Sequence, residues 1–157
     1  MEFYVSNRDF IKNLSINTGT SANPTFTKMC TTSEITVDLD LNTQDFQVFC
    51  DSITRKIVTG SGLTLSGSIK LDVNNTGEVQ LLNAVHTLIS DGAVAQFNNQ
   101  LVQFDLLSGV SDSVLEYTTY QVPVTYTLSD LGGAAEDVSE FSFEMSIVGK
   151  GTVVTSA

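Results

Sequence analysis

Acids, hydroxyls and glycines are the residues of this chain whose types and spacing could do chemistry. The pairs Asp38 with Asp40 and Glu136 with Asp137 could supply an acid and a base. That chemistry needs a cleft that holds two carboxyl groups in different protonation states across a substrate. Asp38 and Asp40 instead alternate with apolar residues in "EITVDLDL", where both project from one side of a strand. The many serines and threonines occupy similar alternating positions, and no G-x-S-x-G elbow exposes one of them as a nucleophile. The glycines of "TGSGLTLSGS" lack both a P-loop lysine and a strand-to-helix setting, so they read as turn-shaping residues rather than a phosphate cradle. Cys30 and Cys50 form no C-x-x-C pair, and the lone His86 has no second histidine with which to share a metal. These observations predict neither an enzyme nor a cofactor.

The elements that carry these residues are mostly strands. In "EITVDLDL" Ile35, Val37, Leu39 and Leu41 face one way, and Thr36, Asp38 and Asp40 the other. "LTLSGSIKL" sets Leu63, Leu65, Ile69 and Leu71 against Thr64, Ser66, Ser68 and Lys70. "YQVPVTYTL" and "EFSFEMSIV" repeat the pattern, with Tyr120, Val122, Val124, Tyr126 and Leu128 on one inward face and Phe141, Phe143, Met145 and Ile147 on the other. Alternation of this kind marks half-buried strands. Pro123 cannot donate a ladder hydrogen bond, which predicts an exposed edge or a bulge at that point. "QLVQFDLL" is a less regular strand.

One segment changes period. Asn75 or Thr76 can cap a helix, Glu78 stands in its first turn where the helix dipole favours an acid, and Gly92 follows the last periodic residue. The helix is expected over residues 77–90, with Val79, Leu82, Val85 and Leu88 or Ile89 as its buried stripe and His86 at the rim.

The chain has 157 residues, 41% of them hydrophobic, which suits a single domain over residues 1–157. "MEFYVSNRDFIKN" is not a secretory leader, and no apolar run approaches the roughly 20 residues that span a bilayer, so a soluble, unexported chain is expected. The formal net charge is −11, and Lys150 is the one base after the helix. Such a field disfavours ordinary nucleic-acid binding, which needs Lys and Arg to displace counterions. Solubility alone is another use for the acids.

The order of these pieces is informative. "ITVDLD" leads to the Arg55-bearing segment "NTQDFQVFCDSITRKIVTGSG", then to "LTLSGSIKLD", the helix "TGEVQLLNAVHTLIS", a long hairpin and the closing "EDVSEFSFEMSIVGKGTVV". From about Glu34 to Val153 this order resembles the major tail, or tail tube, proteins of long-tailed phages with non-contractile tails. The N-terminal segment 1–33 and residues 93–99 depart from the pattern.

The resemblance implies a mainly β fold, sandwich- or barrel-like, with one helix packed on the sheets. It also implies a virion structural protein, assembled in the host cytoplasm, that forms stacked and most often hexameric rings. Its partners would be further copies of itself, a tape measure protein, a tail terminator and baseplate or adaptor proteins, and DNA would pass through the lumen without specific binding. Within that frame, Asp38, Asp40, Ser142, Glu144 and Ser146 are candidates to line the lumen. The polar segment 42–62, read as a loop ordered by a partner, is the candidate ring-to-ring contact; the alternative is a local hairpin packed on its own domain. Its apolar residues and charged rim, Phe46, Phe49, Asp51, Arg55 and Lys56 among them, suit an interface. A capsid decoration or baseplate protein is the nearest alternative. A ligand-binding β-sandwich is another, although the absence of tryptophan counts against stacking on sugars.

Overall fold

A computed structural model of the chain describes residues 4–20, 22–50 and 52–154. It contains the short helix α1 (Asn7–Phe10), eight strands and the long helix α2 (Thr76–Asp91). The strands are β1 (Ile11–Asn17), β2 (Phe26–Lys28), β3 (Thr32–Phe46), β4 (Arg55–Lys70), β5 (Gln100–Ser111), β6 (Val114–Ser129), β7 (Glu140–Ile147) and β8 (Thr152–Val154). All pairings are antiparallel, in the order β2-β1-β5-β6-β7-β4-β3, with β8 joined to β6. Strands from both ends of this order, β1 with Ile11, Leu14 and Ile16 and β4 with Leu65 and Ile69, enter one apolar cluster. The sheet therefore coils around a common core.

The inward faces are largely those expected from alternation. Leu65, Ile69, Val122, Val124, Tyr126, Phe141, Phe143 and Met145 are buried. Phe97, from a 3-10 turn at Ala95–Phe97, sets its ring edge-on to Tyr126 at 5.2 Å between centroids. Burial in this apolar setting pushes the Tyr126 hydroxyl up to about 12.

Pro123 lies at a bulge, not at a sheet edge. Its carbonyl accepts from the Val148 N–H at 3.0 Å. A strand residue turns its N–H and C=O toward the same neighbour, so the missing Pro123 donor faces the stretch between β7 and β8, where the ladder is interrupted. Ile147 pairs with Val124 and Thr152 with Gln121, so the β7–β8 side carries extra residues there.

Helix α2 is capped as expected. Asn75 accepts from the N–H groups of Gly77 and Glu78, and Gly92 adopts the left-handed conformation, φ 65°, with its N–H on the Leu88 carbonyl. Its buried stripe differs from the expected one. Gly77, Glu78, Leu81 and Ala84 are buried, Val79, Leu82 and Val85 are half-buried, and Leu88 and Ile89 are exposed. The helix is rotated by one residue because Gly77 lets it approach the sheet. A Cβ there would come within 2.9 Å of the Ile16 side chain. Glu78 is drawn inside with it. Its Oε1 accepts from the Asp72 N–H at 3.2 Å and lies 2.5 Å from the Thr31 hydroxyl.

Segment 1–33 supplies strand β1, which the alternation rule does not reveal. Asn13, at φ 59°, forms a bulge between the pairs Lys12 with Asp105 and Ser15 with Gln103. The bulge spaces the inward residues as 11, 14 and 16, breaking the period of two.

Candidate functional site

Strands β3, β4, β7 and the end of β6 present a second, outward face opposite the core. The register aligns its side chains in rows across the sheet. Asp38 pairs with Thr64, Thr64 with Ser146, and Ser146 with Thr125. The next row is Thr36, Ser66, Glu144 and Thr127, and the one after it is Glu34, Ser68, Ser142 and Ser129. Asp40 stands one row beyond Asp38, opposite Gly62. All five expected lumen candidates, Asp38, Asp40, Ser142, Glu144 and Ser146, thus share one face. Rows two residues apart are separated by about 6–7 Å along the strands. The face is a field of hydroxyls interrupted by carboxylates, and Lys70, at its end, is paired with Glu140 at 3.3 Å.

The outward face over β1, β5 and the first part of β6 behaves differently. There Asp105 accepts from Asn13 Nδ2 at 2.6 Å and from the Thr119 hydroxyl at 2.5 Å, and Gln121 donates to Gln103 at 3.1 Å. Those polar groups satisfy one another. In the Thr36–Thr127 and Asp38–Thr125 rows, by contrast, no side chain hydrogen bonds to another side chain among the described residues. Their hydroxyls and carboxylates are left to solvent.

The segment 42–62 is not a loop. Strands β3 and β4 pair from Thr32 with Ile69 out to Phe46 with Arg55, whereas β7 accompanies β4 only from Thr64 to Lys70. Beyond Thr64 the hairpin continues as a two-stranded ribbon with nothing on its outer edges among the described residues. Nine residues of β4, Arg55–Leu63, make it about 30 Å long. A register shift between Asn42 and Thr43 leaves Thr59 as the extra residue and keeps Val58 on the side that carries Leu39 and Leu41. The alternation of "EITVDLDL" therefore seals the core only as far as Val37. Leu39 is 69% exposed and Leu41 51% exposed, because by then the strand has left the sheet.

The ribbon brings together most of the expected stacking residues. Phe46 stands opposite Arg55, Lys56 lies 4.0 Å from Asp45, and Phe49 projects fully exposed from the tip with Ile53. Asp51 lies outside the described residues. Cys30 and Cys50 are both exposed thiols. His86 is exposed on α2, and among the described residues no cluster of His, Cys, Asp and Glu could hold a metal. Sequence reasoning preferred a loop here because of the mixed composition, and its alternative, a hairpin, was expected to pack on its own domain rather than project from it. The hydroxyl rows were visible as the outward half of each alternating run.

No protein-family model matches the sequence, and no curated protein matches it. Solved structures do match in shape. A chain from the tail of an empty gene transfer agent particle with C6 symmetry superposes with a TM-score of 0.59 at 13% identity, covering 97% of this chain and 100% of that one. A chain from the tube-terminating cap of the anti-feeding prophage gives 0.56 at 11%, covering 99% and 94%. One from the sheath–tube complex of an extracellular contractile injection system gives 0.55 at 10%, covering 98% and 93%. The chain shares its fold with these tail and tube components. One of these particles is a contractile injection system, so the shared fold does not by itself imply a non-contractile tail.

Proposed function

We propose that this chain is a tail tube subunit. It polymerises as stacked rings, six subunits to a ring, into the conduit through which a phage-like particle ejects its genome. The observation that carries this reading is the projecting ribbon. Leu39, Leu41, Phe49, Ile53, Ile57 and Val58 are exposed on an element that the chain's own core does not reach. Each would contribute roughly 1.5–3 kcal/mol if fully buried. A ribbon with apolar residues and a charged rim at Asp45, Arg55 and Lys56 suits contact with a copy in the next ring. The hydroxyl–carboxylate face supports the same reading, since it would line a bore that does not retain DNA. A surface without unpaired bases cannot release counterions from passing phosphates.

In this assembly the protein has a structural role in the virion tail and breaks no bond. Its partners are other copies, and a tape measure, a terminator and baseplate or adaptor proteins at the tube ends. Assignment to a non-contractile tail rests on the order of the sequence segments. Substituting both Arg55 and Lys56 by Glu tests the stacking role. The variant should keep its native circular dichroism yet sediment as small species where the parent forms tubes seen by negative-stain microscopy. Long tubes from the variant would remove the ribbon from the ring-to-ring contact.

A further inference from the structure

A groove of about 630 Å³ runs between α1–β1 on one side and the start of β3 on the other. Its walls are the two strand edges that the coiled sheet fails to join. β2 pairs with β1 only from Ser15 to Asn17, and β3 has no strand on its outer edge among the described residues. Ile11, Leu14 and Met29 contribute buried apolar side chains to the lining. Arg8, Lys12 and Lys28 also line it, with Asp9 and Glu34. Three bases against two acids is a local excess of positive charge on a chain whose acids outnumber its bases 18 to 7. Lys12 is engaged over the Tyr117 ring at 3.9 Å. Arg8 and Lys28 are exposed, and neither forms an ion pair among the described residues.

The same chain carries a segment of matching character. The β6–β7 connection, residues 130–139, holds Asp130, Glu136 and Asp137 and no base, with Leu131 and Val138 exposed beside them. It leaves the sheet between β6 and β7, whereas the groove lies beyond the outer edge of β3, so along the order β6-β7-β4-β3 the two are separate surfaces of the subunit. Two different complementary patches on one subunit make a head-to-tail contact between copies, which closes into a ring when the rotation allows.

We infer that the acidic β6–β7 connection of one copy docks in the Arg8–Lys28 groove of its neighbour, and that this is a lateral contact of the ring. The inference rests on the tube reading above and adds the partner surfaces within one ring. Opposite charges also steer the encounter, and added salt should weaken it within a Debye length of about 8 Å.

The test uses full-length chains in which Cys30 and Cys50 are both replaced by Ser. One population carries Lys28→Cys and a second carries Glu136→Cys, and the two are mixed, assembled and mildly oxidised. Each chain then has a single thiol, so any disulfide joins two copies. The expected product is a mixed dimer of the two populations. It should not form when the second population carries Asp112→Cys, at the tip of the β5–β6 hairpin, in place of Glu136→Cys. A parallel experiment exchanges charge. Arg8→Glu with Lys28→Glu, or Glu136→Lys with Asp137→Lys, should each raise the concentration needed for assembly by about tenfold or more, and combining all four in one chain should restore it. Tubes without the Lys28–Glu136 product, or equal coupling of Lys28→Cys to Asp112→Cys, would overturn the docking while leaving the tube reading intact. Sedimentation of the parent as a monomer at every concentration would overturn both.

Discussion

Gly67 offers a sharp test of how β3 packs on β4. It pairs with Ile35 on one side and Phe143 on the other, in mid-strand, where glycine ordinarily weakens a sheet. A Cβ at this position would overlap the Glu34 carbonyl oxygen, far inside the 3.0 Å that real Cβ atoms keep, and would stand 3.0 Å from Phe143 Cζ. The obstacle is backbone in the neighbouring strand, so Gly67→Ala requires β3 to move by more than an ångström or give up its pairing. Overpacking a well-filled site costs about 1–3 kcal/mol, and displacement of backbone puts this case at the upper end. At roughly 2–4 °C per kcal/mol for a chain of this size, the melting temperature should fall by about 6–12 °C. The controls are the same substitution at two other strand glycines. At Gly62 the nearest atom to a Cβ is 3.7 Å away, and at Gly109 nothing lies within 4 Å. Both should be neutral, or stabilising by up to about 1 kcal/mol through the unfolded chain. The assay is calorimetry below the concentration at which subunits assemble. A Gly67→Ala variant melting within a degree of the parent would refute the β3–β4 register.

Three further outcomes follow from the structure. Leu81→Ala should cost about 2–5 kcal/mol, because Leu81 is fully buried, and Leu82→Ala distinctly less; the reverse order in denaturant unfolding would restore the stripe through Val79 and Leu82. Tyr126 holds its proton to about pH 12 when folded and to about 10 when unfolded, so its contribution is intact below pH 10 and is lost as pH rises from there through 12. Tyr126→Phe should flatten the decline in stability over that window, and unchanged curves would place the hydroxyl in water. Asp38, Asp40 and Glu144 changed together to Lys should leave tubes able to form but slow DNA release, with the delay shrinking as salt rises; normal, salt-independent release would return the acids to a solubility role.

The alternating strands were legible because burial on one face imposes a period of two, and Leu65, Phe143 and Tyr126 occupy the inward positions that the period assigns. The bulge at Pro123 was legible because a missing donor has few places in a sheet. Strand β1 was hidden by Asn13, whose left-handed bulge shifts Leu14 out of phase with Ile11. The phase of α2 was obscured because apolar residues at 79, 81, 82, 84, 85, 88 and 89 cover too much of its circumference to single out one stripe. What turns it inward is tertiary. Gly77 permits close approach to Ile16, and Glu78 meets Thr31, distant in sequence, as well as the Asp72 N–H just before the helix. The projection of the ribbon was missed because alternation reports a strand's faces but not where its neighbour β7 ends. The five candidate lumen residues were found on one face because each alternates with apolar residues along β3 or β7, whether or not those residues reach the core.

Helical reconstruction by cryo-electron microscopy of tubes grown from the purified chain is the most direct test of the central claim. The account predicts stacked rings of six subunits with the rows containing Asp38, Glu144 and Ser146 facing the bore and the β3–β4 ribbon reaching the adjoining ring. Tubes with those rows on the outer surface, or a protein that stays dispersed at every concentration, would contradict it.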